Sequence, residues 1–181
     1  MLDCLSIIER YYTPGNDDYR VLVHHSRQVA DLAVALTQRL IGQGVPMDIE
    51  FVEEAAMLHD IGVRWCNAPG IQCFGTEPYI CHGRIGAELL RKHGLERHAR
   101  VCERHTGAGL SRQEIVSQQL PLPHCDFLPE TLEEQVICYA DKFFSKTRLD
   151  REKTVEQALN SLAKFGEEGL VRFRRWAEMF E

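Results

Sequence analysis

The chain has 181 residues, 44% of them hydrophobic and 27% charged, the balance of an ordinary globular protein and not of a disordered one. Its formal charge of −6 gives no support to general binding of nucleic acid or of an anionic membrane, both of which need a basic surface. No apolar run approaches the roughly 20 residues of a membrane span, and residues 1–10 carry acids where a secretory leader needs bases. The expectation is one cytoplasmic domain over residues 1–181, with a homodimer as the one assembly considered. The seven cysteines, an odd number without a Cys-x-x-Cys pair, are expected as free thiols there. Cys66, Cys73 and Cys81 fall in one stretch, which leaves a redox or soft-metal role open.

Taken in order, residues 2–12 read as a short helix, closed by the turn chemistry of Thr13-Pro14-Gly15-Asn16. A longer helix over 19–41 follows from the spacing of Leu22, Val29, Ala33, Leu36 and Leu40, and His25 lies on that stripe. Gly42 is a plausible C-cap. Asp48 can cap a third helix, whose apolar run Ala55-Ala56-Met57-Leu58 ends on His59-Asp60-Ile61-Gly62. Gly62 permits a turn away from that face. Residues 63–79 lack a period and contain Pro69, Gly70, Gly75 and Pro78, so a long loop is expected. Trp65 and Phe74 in it suit either a pocket lining or the core.

A fourth helix over 80–93 puts His82, Ile85, Leu89 and His93 on one stripe, and a fifth over 95–105 ends on His105. Ser111-Arg112-Gln113-Glu114 and Thr131-Leu132-Glu133-Glu134 have capping-box spacing, predicting a short sixth helix and a long seventh running through Arg148. Two helices over 151–165 and 167–180 complete an all-α chain. His24 is expected on the surface, and His93, His98 and His124 are read as non-ligands. Arg172, Arg174 and Arg175 are read as a solvated face of the last helix.

His25, His59 with Asp60, His82 and Asp141 occupy faces that should turn inward, and His105 ends another helix. One such residue is usually a hydrogen-bonded core group. Several together are expensive to desolvate without a compensating cation, which a divalent metal supplies.

On those residues the chain resembles the HD superfamily of metal-dependent phosphohydrolases. The segments His25-Ser26-Arg27-Gln28-Val29, Leu58-His59-Asp60-Ile61-Gly62 and Tyr139-Ala140-Asp141-Lys142 look like its first-histidine helix, its central motif and its last-aspartate helix. The likeness spans about residues 23–148 and implies one compact helical domain with a metal site in its core. His82 and His105 make the pattern similar to two-metal members, among them HD-type diadenosine tetraphosphate hydrolases and small HDIG proteins. The resemblance implies one ion on His25, His59, Asp60 and Asp141, a second on His82 and His105, and Asp60 bridging. Such a donor set suits Fe, Mn, Co, Ni or Zn better than Mg, with Fe or Mn favoured.

Two ions can clamp a phosphate and activate water, which makes Asp60 and Lys142 the catalytic candidates. Lys142, Arg84 and Arg148 are the candidates for holding substrate phosphate by position, and Arg64 is a weaker one. The expected reaction is hydrolysis of a phosphoester or phosphoanhydride in a nucleotide-like small molecule. Val63 stands where cyclic-diguanylate phosphodiesterases of HD-GYP type carry lysine, which weighs against that substrate. There are two rivals: a mixed-valent diiron oxygenase, which the same six-ligand order also resembles, and a non-catalytic regulatory module, which the complete ligand set disfavours.

Overall fold

A computed structural model describes residues 2–181, so Met1, which the expected domain includes, lies outside the described residues. Helix α1 (Cys4–Ile8) starts at Asp3, whose carboxylate accepts from the Ser6 N–H, and is shorter than the 2–12 expected. Tyr12 beyond it is buried and donates its hydroxyl to the Ile61 carbonyl at 2.8 Å, fixing the chain just past the His-Asp pair.

Helix α2 (Asp17–Gly42) buries Leu22, Val29, Ala33, Leu36 and Leu40 on one face, and His25 among them. Its cap lies one residue beyond Gly42, at Gln43, and the left-handed residue that turns the chain is Gly44, at φ +89°. Helix α3 (Ile49–Leu58) is capped by Asp48 as its sequence requires. α2 packs on α3 and on α7 (Leu132–Asp141), while α4 (His82–Lys92) and α5 (Glu96–Arg104) pack closely as a pair. Val52, Leu58, Val136 and Ile137 are fully buried where these helices meet, each side chain contributing about 1.5–3 kcal/mol by leaving water.

The stretch over 63–79 holds more order than its composition suggests. A 3-10 turn (Val63–Trp65) leads into a minimal antiparallel hairpin, β1 (Asn67–Ala68) with β2 (Cys73–Phe74), whose connection contains another 3-10 turn (Pro69–Ile71), and a third (Tyr79–Cys81) delivers the chain to α4. Short helix α6 (Arg112–Ser117) and α7 both begin with complete capping boxes, at Ser111 and Thr131.

The expected continuation of α7 through Arg148 is not what the chain does. The helix stops at Asp141, where the N–H groups of Lys142 and Phe143 bond to the third residue back, tightening the last turn. Phe143 is then buried beside Tyr139 and Phe173, and the backbone leaves as an antiparallel hairpin, β3 (Phe144–Ser145) with β4 (Arg148–Glu152). Ser145 faces Arg148 across it, so Lys146 and Thr147 form its tip. α8 (Val155–Leu162) begins at a third capping box, Thr154 with Gln157, four residues later than the helix expected from 151.

α9 (Glu167–Phe180) packs Phe173 and Phe180 around Tyr139. Arg172 is not part of a solvated face: it reaches the carbonyls of Ala108 and Gly109 and the Glu114 carboxylate, tying α9 to the turn after α5 and to α6. Arg174 and Arg175 are exposed as expected.

Candidate metal centre

Six side chains converge from five places: His25 from the middle of α2, His59 and Asp60 from the end of α3, His82 from the first turn of α4, His105 just past α5, and Asp141 from the last turn of α7. All are buried, the most exposed being Asp141 at 7%. Helix ends deliver five of the six, and packing that fixes the helices therefore fixes the donor atoms.

Gly62 makes the closest of those joints. Its φ of −83° is open to any residue, so its use is not the turn expected of it. A Cβ there would lie 2.2 Å from the His82 carbonyl oxygen and 2.5 Å from the Gly86 nitrogen, and only glycine lets the end of α3 meet the start of α4.

The donors fall into two groups that share one carboxylate. In the first, Asp60 Oδ2 lies 3.2 Å from His25 Nε2 and 3.1 Å from His59 Nε2, while Asp141 Oδ1 lies 3.0 and 3.4 Å from the same two nitrogens. In the second, Asp60 Oδ1 is 3.3 Å from both His82 Nε2 and His105 Nε2, and those two nitrogens are 3.0 Å apart. Neighbouring ligands at right angles on one ion with bonds of about 2.1 Å sit about 3.0 Å apart, so the edges of both groups have the length of a coordination shell.

Protonation sharpens the test of fit. The Nδ1–H of His59 donates to the Ala56 carbonyl, that of His82 to Tyr79 and that of His105 to Cys102, at 2.6, 2.6 and 2.7 Å. Each contact fixes the ring and aims Nε2 inward, which is how a metal-binding histidine is oriented by its surroundings. Burial pushes His82 down to about 3 and lowers His105 as well, so both rings are neutral. Two bare nitrogens and a carboxylate oxygen thus face one another within about the width of a cation, an arrangement that repels itself unless a cation lies between. Buried Asp60 Oδ1 and His59 Nε2 have no hydrogen-bond partner in spite of these short separations: the angles aim at a common point and not at each other. The donor set fits a divalent transition metal in each group.

In the first group, burial draws His59 down, but Asp60 and Asp141 outweigh it and hold the imidazole up at about 9. Burial would likewise raise both carboxyls, yet Lys146 and His59 hold Asp60, and Lys142 with His25 and His59 hold Asp141, well below the carboxylate range. His25 differs from the other rings in that its Nδ1 is buried without a protein partner.

Sequence reasoning missed Lys146. From the hairpin tip it enters the first group, its Nζ bonded to Asp60 Oδ2 and 3.5 Å from His25 Nε2, with 11% of the side chain exposed. No periodicity marks it, because its position depends on a strand turn without glycine or asparagine. Lys142, which was singled out, bonds to Asp141 Oδ2 and to the His105 carbonyl. Both ammoniums line a cavity of about 420 Å³ that opens on His82, His105 and Asp141, and Lys153 and Lys164 line it too.

Other candidates fall elsewhere. Arg84 pairs with Glu88 on α4 and borders a different, small pocket. Arg148 borders an adjoining groove and not the cavity itself. Arg64 reaches Asp18 and the Tyr11 carbonyl, and Trp65 and Phe74 flank a separate depression with it. His24 and His124 are exposed; His93 bonds to Tyr11, and His98 to Glu54. All seven cysteines are free. Burial pushes the Cys66 and Cys73 thiols up to about 12 and 11, and among the described residues no cysteine joins a group able to hold a metal.

Helices that carry a histidine, a His-Asp pair and a distal aspartate onto one buried point define the HD class, and the HD domain model matches residues 22–145: the chain belongs to the HD domain family. Among curated proteins it is similar to the tRNA (cytidine(56)-2'-O)-methyltransferases of Thermoplasma volcanium, 33% identical over 90% of this chain and 41% of that one, and of Picrophilus torridus, 33% identical over 81% and 36%. The chain thus spans about two fifths of these relatives. An uncharacterised protein of Methanocaldococcus jannaschii is 34% identical over 79% of this chain and 78% of its own. Among solved structures, the HD domain of the L. monocytogenes phosphodiesterase PgpH matches 99% of this chain and 87% of its own with a TM-score of 0.55 at 18% identity. Its complex with cyclic-di-AMP matches with a TM-score of 0.56 at 19% identity, over 99% and 85%. At that identity the likeness to these solved structures is one of fold. Among the described residues no helix is long and apolar enough to cross a membrane.

Proposed function

We propose that the protein is a metal-dependent phosphohydrolase that cleaves a phosphoester or phosphoanhydride bond of a nucleotide-like small molecule, with water as acceptor. The observation that carries this reading is the Asp60 carboxylate shared by two donor groups, at the edge of a cavity walled by lysines. His25, His59, Asp60 and Asp141 would hold one ion, and Asp60, His82 and His105 another. Divalent ions so held lower the pKa of water and neutralise phosphoryl oxygens.

The chain's own part is positioning. The Ala56, Tyr79 and Cys102 carbonyls keep three imidazoles in the ligating tautomer. With Asp60 and Asp141 engaged by cations, Lys142 and Lys146 turn their charge to the substrate, where phosphoryl oxygens gain negative charge in the transition state. The donor set favours Fe or Mn, with Co, Ni or Zn as further candidates. A nucleotide agrees with the cyclic-di-AMP held by the solved neighbour.

The test is to strip the protein with chelator, reload it with Mn, Fe, Co, Ni or Zn, and assay p-nitrophenyl phosphate, bis(p-nitrophenyl) phosphate and a nucleotide panel. Release of nitrophenol or phosphate that needs the metal and vanishes in Asp60→Asn supports the reading. No hydrolysis with any ion, together with oxygen uptake by the iron form, replaces it with the oxygenase.

A further inference from the structure

We propose that the groove bordered by Arg148, Arg151 and Lys153 is a subsite for a second phosphoryl group, so that the substrate carries at least two. The inference deepens the phosphohydrolase reading and rests on it for which phosphate is cut.

The groove, about 170 Å³, is completed by Ser145 and Gln157. Ser145 and Lys153 also line the metal cavity, so the two spaces meet at a common wall formed by the hairpin. A molecule with one phosphate among the metal ligands can extend past Lys153 without leaving the protein surface.

The charge of the groove is unanswered. On other faces several arginines find carboxylates: Arg91 binds Glu96 and Glu103, and Arg100 binds Glu130 and Glu134. Arg148, Arg151, Lys153 and Lys164 make no ion pair among the described residues, and Asp150 and Glu152, adjacent on β4, do not border the groove. Burial and the ammoniums of Lys142, Lys164 and Lys146 press Lys153 below the usual lysine range, against the pull of Asp141. Like charges gathered without counter-charge raise the local potential and draw an anion.

The donors also have the shape for phosphate. Guanidinium forks bind its oxygens in pairs, which a lone ammonium cannot do. Gln157 spends its Oε1 on the Thr154 N–H, which leaves its Nε2–H groups to donate.

The probes are alkanephosphonates and α,ω-alkanediphosphonates of two, four and six methylenes, whose C–P bonds resist hydrolysis. Calorimetry on the Mn-loaded full chain would compare each pair. At one spacing or more, wild type is expected to hold the diphosphonate about 10-fold more tightly than the monophosphonate, the scale of one or two charge-assisted contacts. In Arg148→Ala/Arg151→Ala the gap should fall below about 3-fold, with thermal melting as the check that the variant is folded. A gap absent at every spacing, or one that survives in the folded double variant, overturns the subsite. Turnover of p-nitrophenyl phosphate, bis(p-nitrophenyl) phosphate or any member of the nucleotide panel by wild type separates the two claims. Diphosphonate preference without turnover would keep the subsite and sink the hydrolase, and turnover without preference would do the reverse.

Discussion

The metal-ligand cluster and the lysine wall face each other across one cavity but are built in opposite ways. All the ligands but His25 come from helix ends locked into the core, and three of the four rings are held by backbone carbonyls one turn back. Apart from Lys142, the residue that ends α7, the cations come from a two-stranded hairpin and its exit and from the end of α8, segments with few buried residues. Atoms that must hold a few tenths of an ångström are placed by packing, whereas groups that must meet a substrate are placed on mobile stems. Lys146 crosses that divide, resting against Asp60 where a metal cation would otherwise balance the carboxylate.

The largest expected effect breaks the cluster at its shared member. Asp60→Asn should cost about 10³-fold or more in metal-dependent turnover, because both donor groups lose a charged ligand together. Steady-state assays with and without added Mn check it; a loss under about 10-fold would make Asp60 peripheral.

Gly62→Ala tests the packing that aims the ligands. Its Cβ would overlap backbone on α4, which cannot yield as a flexible side chain can, so a loss of about 1–3 kcal/mol or more is expected in denaturant melts.

Lys146→Ala sharpens the comparison by making the two regions answer differently. Removing one member of a buried ion pair costs about 3–5 kcal/mol, and that cost should appear in the chelated protein. It should shrink in the Mn-loaded protein, where the ion carries the balancing charge. Equal losses in both forms would mean that Lys146 is only structural.

The smallest effect belongs to Arg84→Ala. Its partner Glu88 is a half-exposed neighbour one turn away on α4, so stability should change by no more than about 0.5 kcal/mol and turnover hardly at all.

The cluster was legible in the sequence because helical spacing puts His25 with Val29 and Leu36, and because Asp48, Ser111 and Thr131 announce their helices. The wall was not. Ile137, Asp141 and Phe144 continue a helical face past the point where the helix ends, and Ser145-Lys146-Thr147-Arg148 contains no glycine, proline, asparagine or aspartate. Phe143, buried among Tyr139 and Phe173, overrides the local pattern. Arg148 was therefore placed wrongly: as a helix residue it would approach the ligands, whereas as a strand residue it borders the adjoining groove. Thr154 with Gln157 was the signal that could have placed the start of α8, and so exposed the residues just before it as something other than helix.

Metal-to-protein stoichiometry by elemental analysis, on protein purified without chelator, tests the central claim most directly when wild type is set beside His82→Ala. Two ions in wild type and one in the variant are expected, since the second donor group has only Asp60, His82 and His105. One ion in both would make His82 and His105 substrate contacts instead of ligands, and no ion in wild type even after reconstitution would contradict the account.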